Sequence, residues 1–159
     1  MWWVVNASPV ILLAKIGHAD LLLRLPDHTA IPASAAAEIR AAPPNDPGRL
    51  WLDALPPGII LPDKHLPVEI ASWDLGAGES AVIAWAAADR SWEAVLDDRA
   101  ARRCAEVMKV AFTGSLGVIL AAKKRGVITQ SAPLISALKA AGAHISESLI
   151  QTALQLVGE

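Results

Sequence analysis

The chain reads as an α/β domain, a central parallel sheet of about five strands with helices on both sides. Three observations lead there. Short apolar runs alternate with amphipathic segments from one end of the chain to the other. The runs are apolar throughout, as in strands covered on both faces. And 53% of the 159 residues are hydrophobic, enough to fill a core on each side of a sheet. No repeat, low-complexity tract or linker divides the sequence, so residues 1–159 are expected to form one domain.

Residues 2–5, Trp-Trp-Val-Val, make the first strand and end at Asn6-Ala7-Ser8-Pro9. Ser8 as N-cap and Pro9 in the first turn start a helix that breaks at Gly17. A short helix follows at Ala19–Leu25. Thr29-Ala30-Ile31 is a strand stopped by Pro32, and Ala33–Arg40 is an Ala-rich helix. The loop 43–48 leads to a short helix at Arg49–Ala54 and a strand at Ile59–Leu61. Residues 62–75, with two prolines and mixed polarity, read as irregular. A long helix covers Gly78–Ala88, a strand Ala94–Leu96, a helix Arg99–Met108 and a strand Val110–Phe112. Thr113-Gly114-Ser115 turns the chain into a helix closed near Arg125-Gly126, where Gly suits the C-cap. Pro133–Ala141 and Ser146–Val157 are the last helices.

Bulk properties exclude several classes. A net charge of −2 argues against a strongly basic grip on nucleic acid but leaves room for a local basic groove. The single Cys104 has no partner for an internal disulfide, which fits a reducing cytoplasm. The apolar N-terminus lacks a basic n-region and is interrupted at Asn6, Ser8 and Pro9, unlike a signal peptide. No apolar stretch is long enough to span a bilayer, so no membrane partner is expected. Six tryptophans stand against one Phe and no Tyr, and most are expected in the core or an interface.

Four separated positions share one pattern: an oxygen-bearing side chain beside a strand end or a helix start. They are Asn6, Glu38, Glu79 and the Asp97-Asp98 pair. Ligands of open parallel sheets bind outside the carboxyl ends of the strands, where Asn6 and Asp97 fall. Brought together, Glu38, Glu79 and Asp97 would repel one another, and a hard divalent cation, Mg²⁺ or Mn²⁺, would remove that repulsion. Each residue also has a plainer reading. Asn6 suits a helix cap, Glu38 a solvated charge, Glu79 the positive end of its own helix, and Asp98 the N-cap of the helix at Arg99. Thr113 and Ser115 are either an ordinary cap or a site for phosphate or water. Arg99, Arg102 and Arg103, with Lys123, Lys124 and Arg125, are either surface charges or a phosphate track. Gly76-Ala77-Gly78 lacks the later Gly and the preceding strand of a dinucleotide fingerprint. His18, His28, His65 and His144 have no metal-ligand spacing and are expected at the surface.

Taken in order, Val-Val-Asn-Ala-Ser-Pro, Ile-Pro-x5-Glu, Gly-x-Gly-Glu-Ser, Leu-Asp-Asp-Arg-x-x-Arg and Thr-Gly-Ser-Leu-Gly-Val-Ile resemble the PIN-domain superfamily over nearly the whole chain. They are closest to an uncharacterised prokaryotic branch related to VapC-type toxins. The resemblance implies a three-layer α/β/α fold and a metal-dependent ribonuclease, in many members a toxin neutralised by an antitoxin protein. It places the acidic positions of the family at Asn6, Glu38, Glu79 and Asp97, with Glu38, Glu79 and Asp97 as metal ligands. Thr113 and Ser115 fall where the family often keeps a hydroxyl, and Asp98 can act as an outer acceptor. Arg99, Arg102, Arg103 and Lys123 would then neutralise the RNA backbone. Asn6 departs from the acidic pattern, since it offers a carbonyl oxygen without charge. A rival class therefore stands beside the enzyme: a non-catalytic module that keeps the fold, binds metal weakly, and uses its apolar C-terminal helix against a second copy or an antitoxin-like peptide. A phosphohydrolase or receiver-like domain fits less well, because the strand-end Asp pair comes late in the chain.

Overall fold

The computed structural model describes residues 1–159 and contains five strands and ten helices. They run β1 (Trp2–Val5), α1 (Ala7–Lys15), α2 (Leu21–Arg24), β2 (His28–Pro32), α3 (Ala33–Arg40), α4 (Pro47–Asp53), β3 (Ile60–Leu61) and α5 (Val68–Ala71). Then come α6 (Ala77–Ala88), β4 (Trp92–Val95), α7 (Arg99–Val107), β5 (Phe112–Thr113), α8 (Ser115–Lys124), α9 (Ala132–Ala140) and α10 (Glu147–Leu156). All strand pairs are parallel, in the order β3-β2-β1-β4-β5. The expected α/β/α layering is therefore what the chain adopts.

Strand periodicity sorts the side chains into two cores. Trp3, Val5, Ile31 and Val95 face one side and pack with Leu13, Leu21, Ile39, Ile119 and Ile135 from α1, α2, α3, α8 and α9. Val4, Ala30, Ala94 and Leu96 face the other and pack with Ile70, Val82, Ile83, Trp85 and Cys104 from α5, α6 and α7. Burial raises the pKa of the Cys104 thiol, so it stays protonated as a small apolar group.

The chain proceeds outward from β1 to β2 and β3, then returns to lay β4 on the other side of β1. The sheet thus has its switch point between β1 and β4. Asn6 comes directly after the first of these strands, and Asp97 lies just beyond the second.

Several boundaries differ from the sequence expectation. The first helix starts at Ala7 rather than after Ser8, because the Asn6 N–H donates to the Val95 carbonyl and carries the sheet ladder up to the helix. Asn6 occupies the N-cap position, yet its side chain makes no capping bond. Pro32 does not stop β2 early. It is the last residue of the strand, opposite Leu61. Residues 62–75 contain the short helix α5, anchored by the fully buried Ile70. β5 lies later than Val110–Phe112, because Lys109 adopts a left-handed φ of 54° and the Val110 N–H closes the end of α7 on the Ala105 carbonyl.

Aromatic residues line the start of the sheet. Trp2 and Trp92 are register partners with rings 5.3 Å apart, and Trp92 meets Trp85 at 5.5 Å, both edge-on. Trp3 donates its indole N–H to Glu93 at 3.0 Å. Trp51 packs against the first core.

The last helix is fastened at both ends. Ser146 caps it by accepting the Leu149 N–H, and the Glu159 carboxylate accepts the N–H groups of Ser131 and Ala132 at 2.8 and 2.9 Å and pairs with Lys123 at 3.0 Å. The two backbone donors pull the Glu159 pKa from 4.5 down to about 2. A depressed carboxylate pKa contributes stability that is complete above the unfolded value and is lost as pH falls through the folded one. Glu159→Gln is therefore expected to lower the melting temperature at neutral pH, with the gap to the parent closing between about pH 4.5 and pH 2. A gap that persists unchanged to pH 2 would assign the effect to something other than the carboxylate charge.

Candidate metal and nucleic-acid site

Two helix starts organise the rim of the sheet. At the first, the Gly78 N–H in the opening turn of α6 donates to Glu38 Oε1 at 3.0 Å. A Cβ on Gly78 would lie 2.7 Å from Glu38 Oε1 and 2.8 Å from Asn6 Oδ1. Only a glycine lets the helix approach both oxygens at this distance. Asn6 is 1% exposed, and neither its Oδ1 nor its Nδ2 has a hydrogen-bond partner in the protein. A buried amide with both ends unpaired costs free energy, so the position favours a bound ligand that can satisfy it.

At the second start, Asp97 is held by Ser115. The Ser115 N–H donates to Oδ1 at 2.7 Å and its hydroxyl to Oδ2 at 2.6 Å. Gly114 allows the carboxylate in, since a Cβ there would be 3.0 Å from Asp97 Oδ1. Asp98 turns to the other task and accepts the Ala101 N–H at 2.9 Å, capping α7 as expected. Thr113 packs its hydroxyl tightly over Gly117 in the first turn of α8.

Glu79 links the two halves. Its carboxylate lies against Gly76, and Glu38 Oε1 is 3.9 Å from the point a Gly76 Cβ would occupy. Glu79 also lines, with Asp97, Asp98 and Arg102, a cleft of about 610 Å³. The apolar part of its lining comes mainly from Leu12, Leu116, Leu120, Leu138, Ile145 and Leu149. Asn6 and Glu38 meet outside the cleft lining, on the α6 side of the sheet, whereas Asp97 faces α8.

Chemically, the donor set of three carboxylates and one amide oxygen suits a hard divalent cation. The unpaired Asn6 oxygen and the carboxylates near Gly76 point the same way. The convergence is partial, however. No three His, Cys, Asp or Glu side chains stand close enough together to hold a metal ion as they are placed. The sheet plane is the reason: Asn6 continues the side of Val4 toward α6, and Asp97 continues the side of Val95 toward α8.

Of the basic residues, Arg102 alone among Arg99, Arg102, Arg103 and Lys123 lines the cleft. Its guanidinium sits over the Phe112 ring at 5.3 Å. Arg99 and Arg103 are exposed on α7. Lys123 lies near the far end of α8 from Ser115, with its ammonium on the Thr129 carbonyl and on Glu159. Two cleft residues carried no sequence signal. His144 is exposed in the turn between α9 and α10 and reaches the cleft through the packing of those helices. Ser8 lines it from the first turn of α1.

Glycine substitutions at the start of α6 separate the contact to Asn6 and Glu38 from the contact to Glu79. Gly78→Ala gains helix propensity of about 1 kcal/mol but forces a methyl onto the buried Asn6. A net loss of about 1–2 kcal/mol is expected in urea denaturation. Gly76→Ala meets mainly the flexible Glu79 carboxylate and should be close to neutral for stability. Equal stability of the two variants would mean that Asn6 and Glu38 move aside freely.

Among known families, a model described as a PIN domain matches residues 2–159. No curated protein and no solved structure matches the chain.

Proposed function

Because the chain belongs to the PIN-domain family, a nuclease superfamily, we propose that it is a divalent-metal-dependent ribonuclease that hydrolyses RNA phosphodiester bonds. The finer reading is the toxin of a toxin–antitoxin pair from the prokaryotic branch related to VapC-type toxins, working in the cytoplasm. The observation that carries the catalytic reading is the gathering of Asn6, Glu38 and Glu79 around the Gly76–Gly78 turn, with Glu79 and Asp97 both lining one cleft.

Glu38, Glu79 and Asp97, with the Asn6 oxygen, would hold Mg²⁺ or Mn²⁺. When bound, such an ion acidifies water and stabilises charge on a phosphate. The protein groups do the rest. Ser115 fixes both Asp97 oxygens and so limits its rotation. The Gly78 N–H does the same for Glu38. The Glu79 carboxylate lies against Gly76 without a hydrogen bond of this kind, so it would be the most adjustable of the three toward a bound ion. Arg102 in the cleft wall would neutralise a phosphate, and Arg99 and Arg103 on the same helix would extend that field along the strand. Thr113 and Asp98 would position water at the margin.

Apolar surface is available for partners. Leu149 and Leu156 of α10 are exposed, and Leu149 also borders the cleft. An antitoxin protein or a second copy forming a homodimer would cover this helix. No helix is long and apolar enough to cross a membrane.

The second reading, a non-catalytic module for a partner or nucleic acid, is favoured by one observation: the acids do not already form a group of three. Metal titration separates the two. For a functional site, a metal at one hundred times its Kd should stabilise the fold by about 2.7 kcal/mol. Glu79→Ala should abolish that shift. A melting temperature indifferent to Mg²⁺ and Mn²⁺ up to millimolar levels would favour the module.

Activity gives the complementary test. Asp97→Ala should lower metal-dependent RNA cleavage at least a hundredfold, about 2.7 kcal/mol of barrier. Asn6→Asp should raise the rate and the metal affinity, while making the metal-free protein less stable because a buried charge is added. RNA cut equally fast by the parent and by Asp97→Ala, in the same metal, would remove the catalytic reading.

A further inference from the structure

Five of the six tryptophans have packing roles. Trp2, Trp85 and Trp92 pack edge to face, Trp3 is buried and bonded to Glu93, and Trp51 lies on the first core. Trp73 belongs to neither core and is 36% exposed. It sits in the segment between α5 and α6, and the next residue, Asp74, holds a left-handed φ of 53°. A non-glycine residue in that region is uncommon and sets a fixed bend.

The bend matters because it leads straight into the turn that carries Glu79. Trp73 is three residues before Gly76, so their Cα atoms are at most about 10 Å apart. Gly76 is the residue against which the Glu79 carboxylate lies. A nucleic-acid strand advances at least about 3.4 Å per nucleotide. A side chain on this segment is therefore within a few nucleotides, on the order of three to five, of a phosphate held at the carboxylates. Large exposed indoles are good stacking platforms for unpaired bases, whatever the base. The neighbouring charges, Glu69 and Asp74, are acidic and would repel phosphate, so the contact at Trp73 is to a base and not to the backbone. Arg102, at the Asp97 side, offers the backbone contact.

We propose that Trp73 is a base-stacking subsite for single-stranded RNA, holding an unpaired nucleobase beside the Glu79 end of the carboxylate cluster. The proposal rests on the ribonuclease reading above. Leu66 and Val68 are also exposed in this segment, and a protein partner would use all three apolar residues. The position of Trp73 three residues from Gly76 favours the substrate strand.

The test compares the parent, Trp73→Ala and Trp73→Phe on a single-stranded RNA oligonucleotide, and on the same RNA carrying one abasic site moved along it. Trp73→Ala should raise KM roughly tenfold with kcat held, Trp73→Phe should recover most of the loss, and one abasic position should erase the difference between parent and Ala variant. The salt dependence of binding should be unchanged in Trp73→Ala, while Arg102→Ala should reduce it. An unchanged KM, or a fall in kcat alone, overturns the proposal. If the parent cuts no RNA, the nuclease reading fails separately. Binding of the oligonucleotide then decides: about tenfold weaker binding by Trp73→Ala supports the subsite, and equal or absent binding overturns it. Unchanged RNA binding with loss of self-association in the Ala variant would also overturn it and assign the patch to a protein contact.

Discussion

Two backbone N–H groups hold the rim of this molecule together. Gly78 and Ser115 each open a helix, and each donates to a carboxylate from a distant part of the chain, Glu38 in one case and Asp97 in the other. The first turns of helices have unpaired donors and a positive field, so they accept acids that would be costly elsewhere. This pairing places α6 and α8 against the carboxyl ends of the strands. It also explains the glycines at 78 and 114, since a Cβ at either would press on the carboxylate being held.

The same arrangement sets the character of the site. Because the two helices lie on opposite sides of the sheet, the acids they hold are drawn apart, and Glu79 both lies against Gly76 and lines the cleft that Asp97 lines. A site built this way is organised in its fixed members and adjustable in one. The neutral Asn6 reduces the charge crowded under α6, at the expense of a buried amide that finds no partner in the protein. Local stability and local chemistry are therefore in tension at one residue, as is common where a fold carries a function.

Much of this was legible in the sequence, for identifiable reasons. The apolar runs at 2–5 and 94–96 lie in the doubly covered centre of the sheet, where composition alone marks a strand. Asp98 was recognisable as a cap because a cap is a local matter of one side chain and the next turn. Features that depend on distant packing were less visible. α5 exists because Ile70 is buried by the second core, a fact no window of residues 62–75 contains. The start of α1 moved because the Val95 carbonyl, two strands and six helices further along the chain, claims the Asn6 N–H. At the site, Asn6, Glu79 and Asp97 do lie at strand ends or a helix start, whereas Glu38 lies in the last turn of α3 and reaches the rim from there. Their division between two faces of the sheet was not legible, nor was the separation of Lys123 from Arg102, since both depend on where α7 and α8 sit in three dimensions.

One more feature gives access to motions of the fold. Cys104 is the single thiol of the chain and is fully covered beneath α7, with a pKa raised by that cover. It can react with an alkylating reagent only when the helix lifts from the sheet. The rate of labelling is thus an intrinsic clock for sub-global opening next to Arg102 and Asp98, read without any added probe and in the presence or absence of metal or RNA.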